Sequence, residues 1–340
     1  MLAGYLVAPQ RVEVREEERP HAGPGELVIA VRVALTDGTD LKAYRRGHPQ
    51  MPMPTRFGHE FAGDVVDVGA GVAAFSRGDA VMAVHSAPCT LCYWCTHDQE
   101  QLCEQVMRTK ILGAYAEYIA IPRHIVANNV YLKPEQLSYE AAAFLEPLAC
   151  VVHSAELLQL RGDESVVVIG AGGFGLLHLM VLRALGLPKP LLVVRRPERR
   201  ALAQELNLAH VVDAAGDPIA VVRAATGGRG ADLVIECTGS PAVWEEAASY
   251  VRRGGTLSLF GGLPGGTQVT FDAGRLHYDE VRVLSPFHFG RRAVRRAYEL
   301  LTSGTIDPRP LVSGAIPLLQ LADAFALLQS GHGIKYAVIP

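Results

Sequence analysis

Val166-Val167-Val168-Ile169-Gly170-Ala171-Gly172-Gly173-Phe174-Gly175 decides the fold. Four β-branched residues in a row read as a buried strand, a G-x-G-x-x-G spacing follows without a break, and the apolar run to Leu185 reads as a helix. Gly170 permits the tight turn, Gly172 lets a pyrophosphate approach the backbone, and Gly175 allows the helix to pack closely on the strand. The helix opens at Gly173 and Phe174, so its free N–H groups face the anion. A second apolar strand at 191–194 completes the order strand, loop, helix, strand, which separates a dinucleotide loop from a turn that is only rich in glycine.

The end of that second strand is where an acidic residue would hold a ribose 2′-hydroxyl. The chain reads Val193-Val194-Arg195-Arg196-Pro197 instead. An arginine there accommodates a 2′-phosphate through charge-assisted hydrogen bonds, which favours NADP over NAD. The competing reading is that Arg195 and Arg196 simply open the next helix in solvent.

Outward from the loop, further apolar strands at 233–236 and 256–260 keep the rhythm of a parallel α/β sheet. Upstream, residues 25–35 and 61–84 alternate β-branched with polar residues between Gly-Asp and Gly-Ala turns, the pattern of antiparallel strands. After Pro286 come a helix at 291–302, the segment Asp307-Pro308-Arg309-Pro310, a helix near 319–329 and a last strand at 335–339, a tail able to rejoin the first domain. The expected division is 1–149, 150–285 and 286–340.

With 340 residues, 49% of them hydrophobic and 20% charged, the chain has material for two globular domains and is neither disordered nor fibrous. The balance of 32 Lys and Arg against 35 Asp and Glu leaves no basic surplus for nucleic acid or an anionic membrane, so a small molecule is the expected partner. The most apolar stretch, 166–182, is interrupted by four glycines and His178, which suits a strand and helix better than a bilayer span. The start runs quickly into Pro9 and Glu16-Glu17-Glu18, unlike an export signal, and a cytoplasmic location is expected.

Four of the six cysteines crowd into Cys89-x2-Cys92-x2-Cys95-x7-Cys103. Four thiolates at that spacing close a tetrahedron around one zinc ion, with no position left for water, so the site is structural and folds a lobe at 85–108. Free thiols or disulfides are the alternative.

Gly58-His59-Glu60 enters a strand, and the run through Gly63, Gly69 and Val72 fits G-H-E-x2-G-x5-G-x2-V. With the cysteine lobe and the glycine loop following in order, the chain resembles the zinc-dependent medium-chain alcohol and polyol dehydrogenases, in their sorbitol and glucose dehydrogenase branch, over essentially its whole length. The resemblance implies an α/β protein made of a GroES-like, β-rich catalytic domain and an inserted Rossmann domain with a doubly wound parallel sheet. It also implies a catalytic zinc beside the structural one. The family holds that zinc with a cysteine in a Cys-Gly-Thr-Asp segment, the histidine of Gly-His-Glu and a third residue ahead of the cofactor domain. Here the segment is Asp37-Gly38-Thr39-Asp40, so Asp37 replaces the cysteine. An aspartate can bind zinc through oxygen, at a harder site; a turn aspartate that only caps the following helix is the alternative. The third position matches Glu146 in Phe144-Leu145-Glu146-Pro147-Leu148, leaving Glu60 as a second-sphere or exchanging ligand.

The same resemblance gives Thr39 the hydroxyl that carries the substrate proton away. Lys42 stands where many members have a relay histidine, and Pro286 and Phe287 join the cofactor-binding residues. It implies reversible hydride transfer between a secondary alcohol of polyol, sugar or cyclitol type and NAD(P), in a homodimer or homotetramer. Two rivals remain: a metal-independent NADPH-dependent reductase of the same superfamily, and a non-catalytic nucleotide-binding redox sensor. Two metal ions per chain fit the dehydrogenase; one fits either rival.

Overall fold

The computed structural model describes residues 1–48 and 51–340. The chain forms two compact units, one comprising Met1–Cys150 with Phe289–Pro340 and the other Val151–His288.

The first unit is built on a seven-stranded sheet. Its central strand, Leu27–Leu35, pairs antiparallel with Glu60–Val68, with Tyr118–Ile121 and, at its far end, with Lys335–Ile339. The last strand of the chain is therefore bonded to the strand that leads to Asp37, and Thr36 and Tyr336 exchange hydrogen bonds there, with Thr36 N donating to Tyr336 O at 3.0 Å and Tyr336 N to Thr36 Oγ1 at 2.8 Å. Leu27, Ile29 and Phe61 lie in one buried cluster with the rings of Phe57, Tyr115 and Phe325. This core fixes the ends of the strands where the polar residues of interest begin.

The second unit is a six-stranded, all-parallel sheet. Reading across, the strands are His210–Asp213, Leu191–Val194, Val166–Ile169, Ala231–Glu236, Val251–Leu259 and Arg282–Leu284. Numbered within the unit this is 3-2-1-4-5-6, the doubly wound order, whose switch point falls between Val166–Ile169 and Ala231–Glu236. Val166–Ile169 is buried throughout, as a central strand covered on both faces must be, and that is why it is a continuous apolar run. Among the described residues no helix is long and apolar enough to cross a membrane.

Candidate active site and metal centres

Gly170, Gly172 and Gly175 do different work in the loop. Gly170 has φ +102°, in the left-handed region that favours glycine, and a Cβ there would press on Thr238 Cγ2 at 2.8 Å. A Cβ at Gly175 would sit 1.9 Å from Gly170 O, so helix and turn meet only without a side chain. A Cβ at Gly172 would meet nothing within 4 Å among the described residues. Gly172 is the N-cap of the helix Gly173–Ala184 and offers no side-chain cap to it, so no capping side chain takes the first-turn N–H groups that an anion would use. Arg195 and Arg196 are exposed directly after strand Leu191–Val194, and Arg196 is the N-cap of the next helix. Pro286 is buried and Phe287 exposed.

In the lobe, Cys92 Sγ lies 3.6 Å and Cys89 Sγ 4.0 Å from Cys95 Sγ. A tetrahedron with Zn–S bonds of about 2.3 Å has edges of roughly 3.8 Å, so the donor set fits zinc. Backbone N–H groups of Cys89 and Gln105 point at Cys103 Sγ at 3.2 and 3.4 Å, an arrangement that stabilises thiolates. N–H groups of Cys95 and Glu104 bring the Cys92 thiol down to about 6. None of the six cysteines is in a disulfide.

The second cluster is buried. Strand Leu27–Leu35 runs into Thr36 and Asp37, and Asp37 Oδ1 accepts from Asp40 N at 2.7 Å as the N-cap of helix Gly38–Arg46. Its other oxygen lies 3.8 Å from His59 Nε2. The capping and metal-binding readings thus do not compete, because they call on different oxygens of one carboxylate. His59 Nδ1 faces Asp40 Oδ1 at 3.2 Å. Burial alone would push the His59 pKa down, but Asp40 and Asp37 outweigh it and hold it well above the usual value. Thr39 and Lys42 are half-buried on the first turns of the same helix.

Glu60 follows His59 into strand Glu60–Val68, and both its oxygens accept from Lys335 Nζ at 2.6 Å, while Nζ also donates to Thr36 O at 3.0 Å. Burial pulls the Lys335 ammonium down, yet Glu60 and Asp37 outweigh it and raise its pKa, while burial outweighs Lys335 at Glu60 and raises that carboxyl well above its usual range. Asp37, His59 and Glu60 each offer a ligand atom within 4.8 Å of the others. Glu146, the expected third ligand, stands instead 3.4 Å from His85 Nδ1, and burial raises its pKa to about 7. The ring of His85 lies edge-on to that of His59, with centroids 5.0 Å apart. Donor atoms of Asp37, His59 and Glu60 thus form one close group, with Glu60 held by Lys335, and Glu146 lies near enough to act electrostatically on His59.

Asp37, Asp40, Glu60 and Glu146 are all buried, with Lys335 as the buried ammonium among them. Buried carboxylates in that excess call for a further cation, and one nitrogen with two or three oxygens suits zinc. His59 Nδ1 and Asp40 Oδ1 make no hydrogen bond with any described residue. Sequence reasoning misses Lys335, His85 and Tyr115, because their partners lie too far along the chain for any motif to join them.

Two family models match, the alcohol dehydrogenase GroES-like domain over residues 23–131 and the zinc-binding dehydrogenase domain over 173–303. The L-threonine 3-dehydrogenase of Symbiobacterium thermophilum is 32% identical over 98% of this chain and 96% of its own length. The chain belongs to the zinc-dependent medium-chain alcohol and polyol dehydrogenases. The dehydrogenase is also 28% identical to the sorbitol dehydrogenase of Bacillus subtilis, over 100% of this chain and 97% of that one. Among solved structures, it superimposes with a TM-score of 0.90 and 30% identity on an alcohol dehydrogenase from Thermus, covering 100% of this chain and 99% of that one. A zinc-binding dehydrogenase from Sinorhizobium meliloti bound to NADP gives 0.89 and 30%, with the same coverage. Family membership makes the protein an oxidoreductase of the alcohol dehydrogenase class, with a small-molecule substrate, zinc and a nicotinamide cofactor.

Proposed function

We propose that the protein interconverts a secondary alcohol of polyol, sugar or cyclitol type with its ketone by hydride transfer, with NADP favoured over NAD. The observation that carries this reading is the buried set of Asp37, His59 and Glu60, three donors within 4.8 Å of one another. His59 offers nitrogen, and Asp37 oxygen from the atom its cap leaves over. A glutamate completes the set: Glu60 while Lys335 holds it at the site, with Glu146 as the exchange partner. The zinc, when bound, supplies the Lewis acidity that lowers the pKa of the substrate alcohol. Thr39 then takes the hydroxyl proton outward past the half-buried Lys42. The similarity to a sorbitol dehydrogenase supports an oxygen-rich substrate. A second, structural zinc sits in the cysteine lobe, and Arg282–Leu284, the edge strand of the parallel sheet, is the surface for pairing two chains.

In the second unit, the uncapped helix start at Gly172 and Gly173 receives the pyrophosphate, and Arg195, with no acidic residue next to it in the sequence, receives the 2′-phosphate. A screen of polyols, aldoses and L-threonine with both cofactors tests the reading. Turnover of a polyol or sugar with NADP is expected, and Arg195→Ala should raise KM for NADP over that for NAD by about 1.5–3 kcal/mol. A wild type that prefers NAD would refute the cofactor assignment, and activity confined to L-threonine the substrate class.

A further inference from the structure

Tyr115 is fully buried and makes two kinds of contact, one through its ring and one through its hydroxyl. The ring underlies the residue ahead of His59. Gly58 has φ +87°, and a Cβ there would come within 2.8 Å of Tyr115 Cδ2. The backbones are tied as well: Gly58 O accepts from Gly113 N at 2.9 Å and Ala114 N at 3.1 Å, and Tyr115 N donates to Phe57 O at 3.1 Å. On the far side the ring meets Phe57 edge-on at 5.5 Å between centroids. The glycine of Gly-His-Glu is thus a requirement imposed by Tyr115.

The hydroxyl reaches the other way. It donates to Asp40 Oδ2, with Leu35 O near at 3.2 Å. Asp40 is wholly buried and its N–H is already given to Asp37 Oδ1. With Oδ2 taken by Tyr115, the carboxylate has one oxygen left, and that oxygen faces His59 Nδ1 at 3.2 Å. The two atoms approach each other at that distance, and neither makes a hydrogen bond with any described residue.

We propose that Tyr115 is a positioning residue for the metal-binding face of His59. By occupying Oδ2 it turns Oδ1 toward Nδ1, so the imidazole keeps its proton on Nδ1 and leaves the Nε2 lone pair for the metal. Outer partners of this kind fix the tautomer and ring orientation of a histidine ligand, and losing one costs roughly 10–100-fold in metal affinity or activity. The same hydroxyl steadies Asp37 through the backbone of Asp40, so a single O–H stands behind two of the three donors. The role rests on the zinc reading given above.

Tyr115→Phe keeps the ring, and with it the contact to Gly58, and removes only the hydroxyl. The measurement is the rate at which zinc leaves the purified holoprotein to a chelator, with the lobe zinc as internal reference. Tyr115→Phe is expected to release the buried-site metal about 10-fold faster or more, at an unchanged lobe rate, and to shift the visible absorption of the cobalt(II) form. Asp40→Asn should release it at least as fast, and adding Tyr115→Phe to Asp40→Asn should change nothing further, because the two act in series. Wild-type release from Tyr115→Phe, or effects that add in the double variant, would overturn the proposal. Should Tyr115→Phe not fold, a wild-type release rate from Asp40→Asn overturns it equally. A wild type holding one metal ion per chain would remove the zinc reading and this role together, whereas two ions with an indifferent Tyr115→Phe would remove only the role.

Discussion

The cysteine lobe and the buried Asp37–His59–Glu60 cluster solve opposite problems. The lobe draws all its donors from residues 89–103, and its regular structure is one helix of four residues and one 3-10 turn of three. Leu91 is 85% exposed and Tyr93 62%, and no residue from 89 to 102 is buried. The second cluster gathers polar groups from positions as far apart as Thr36 and Lys335, and Asp40 and Glu60 are completely buried. Under the proposed function, one region takes its shape from a bound metal. The other has its shape from the core and needs charge balance, which Lys335 supplies in part.

The largest effect should come from the lobe. Cys92→Ser removes one corner of a closed four-sulfur site, and structural zinc contributes on the order of 10 kcal/mol to folding in small domains. Calorimetry should show a strongly lowered melting temperature with aggregation; a Cys92→Ser chain that melts like wild type with full metal content would erase the contrast between the two regions.

Lys335→Met comes next. It leaves Glu60 buried beside Asp37 and Glu146 without its cation, a change expected to cost about 3–5 kcal/mol in urea unfolding. Lys335→Arg should recover most of it. If Lys335→Met were as stable as wild type, Glu60 would be neutral in the native state and the charge-balance argument would fail.

The smallest effect on stability belongs to Asp37→Ala, about 0.5–2 kcal/mol for the lost cap of helix Gly38–Arg46. Its effect on turnover should be complete, while NADP binding persists, because the glycine loop lies in the other compact unit. Activity retained with only the cap penalty would reduce Asp37 to a turn residue.

Local patterns are legible in the sequence wherever donors or turns are neighbours along the chain. The cysteine spacing, the glycine loop and the apolar strand at 191–194 read directly, since each depends on a few consecutive residues. Helix 291–302 and strand 335–339 are likewise visible from periodicity and match Arg291–Thr302 and Lys335–Ile339. What cannot be read is what the sheet brings together. Lys335 pairs with Glu60 only because the last strand bonds to Leu27–Leu35, which in turn bonds to Glu60–Val68. The sequence names Glu60 and Glu146 as candidate ligands but shows nothing of the ammonium that holds Glu60. His85 gives no signal because a lone histidine at a strand end is ordinary, and Tyr115 reads as a core aromatic, which its ring is.

Metal content per chain tests the contrast most directly. Purified wild-type protein should carry two zinc ions, Cys92→Ser and Asp37→Ala one each, with Asp37→Ala losing the ion that leaves first to a chelator. An Asp37→Ala protein that keeps two ions and its activity would contradict the assignment of Asp37, and a wild type with a single ion bound in the lobe would contradict the buried site altogether.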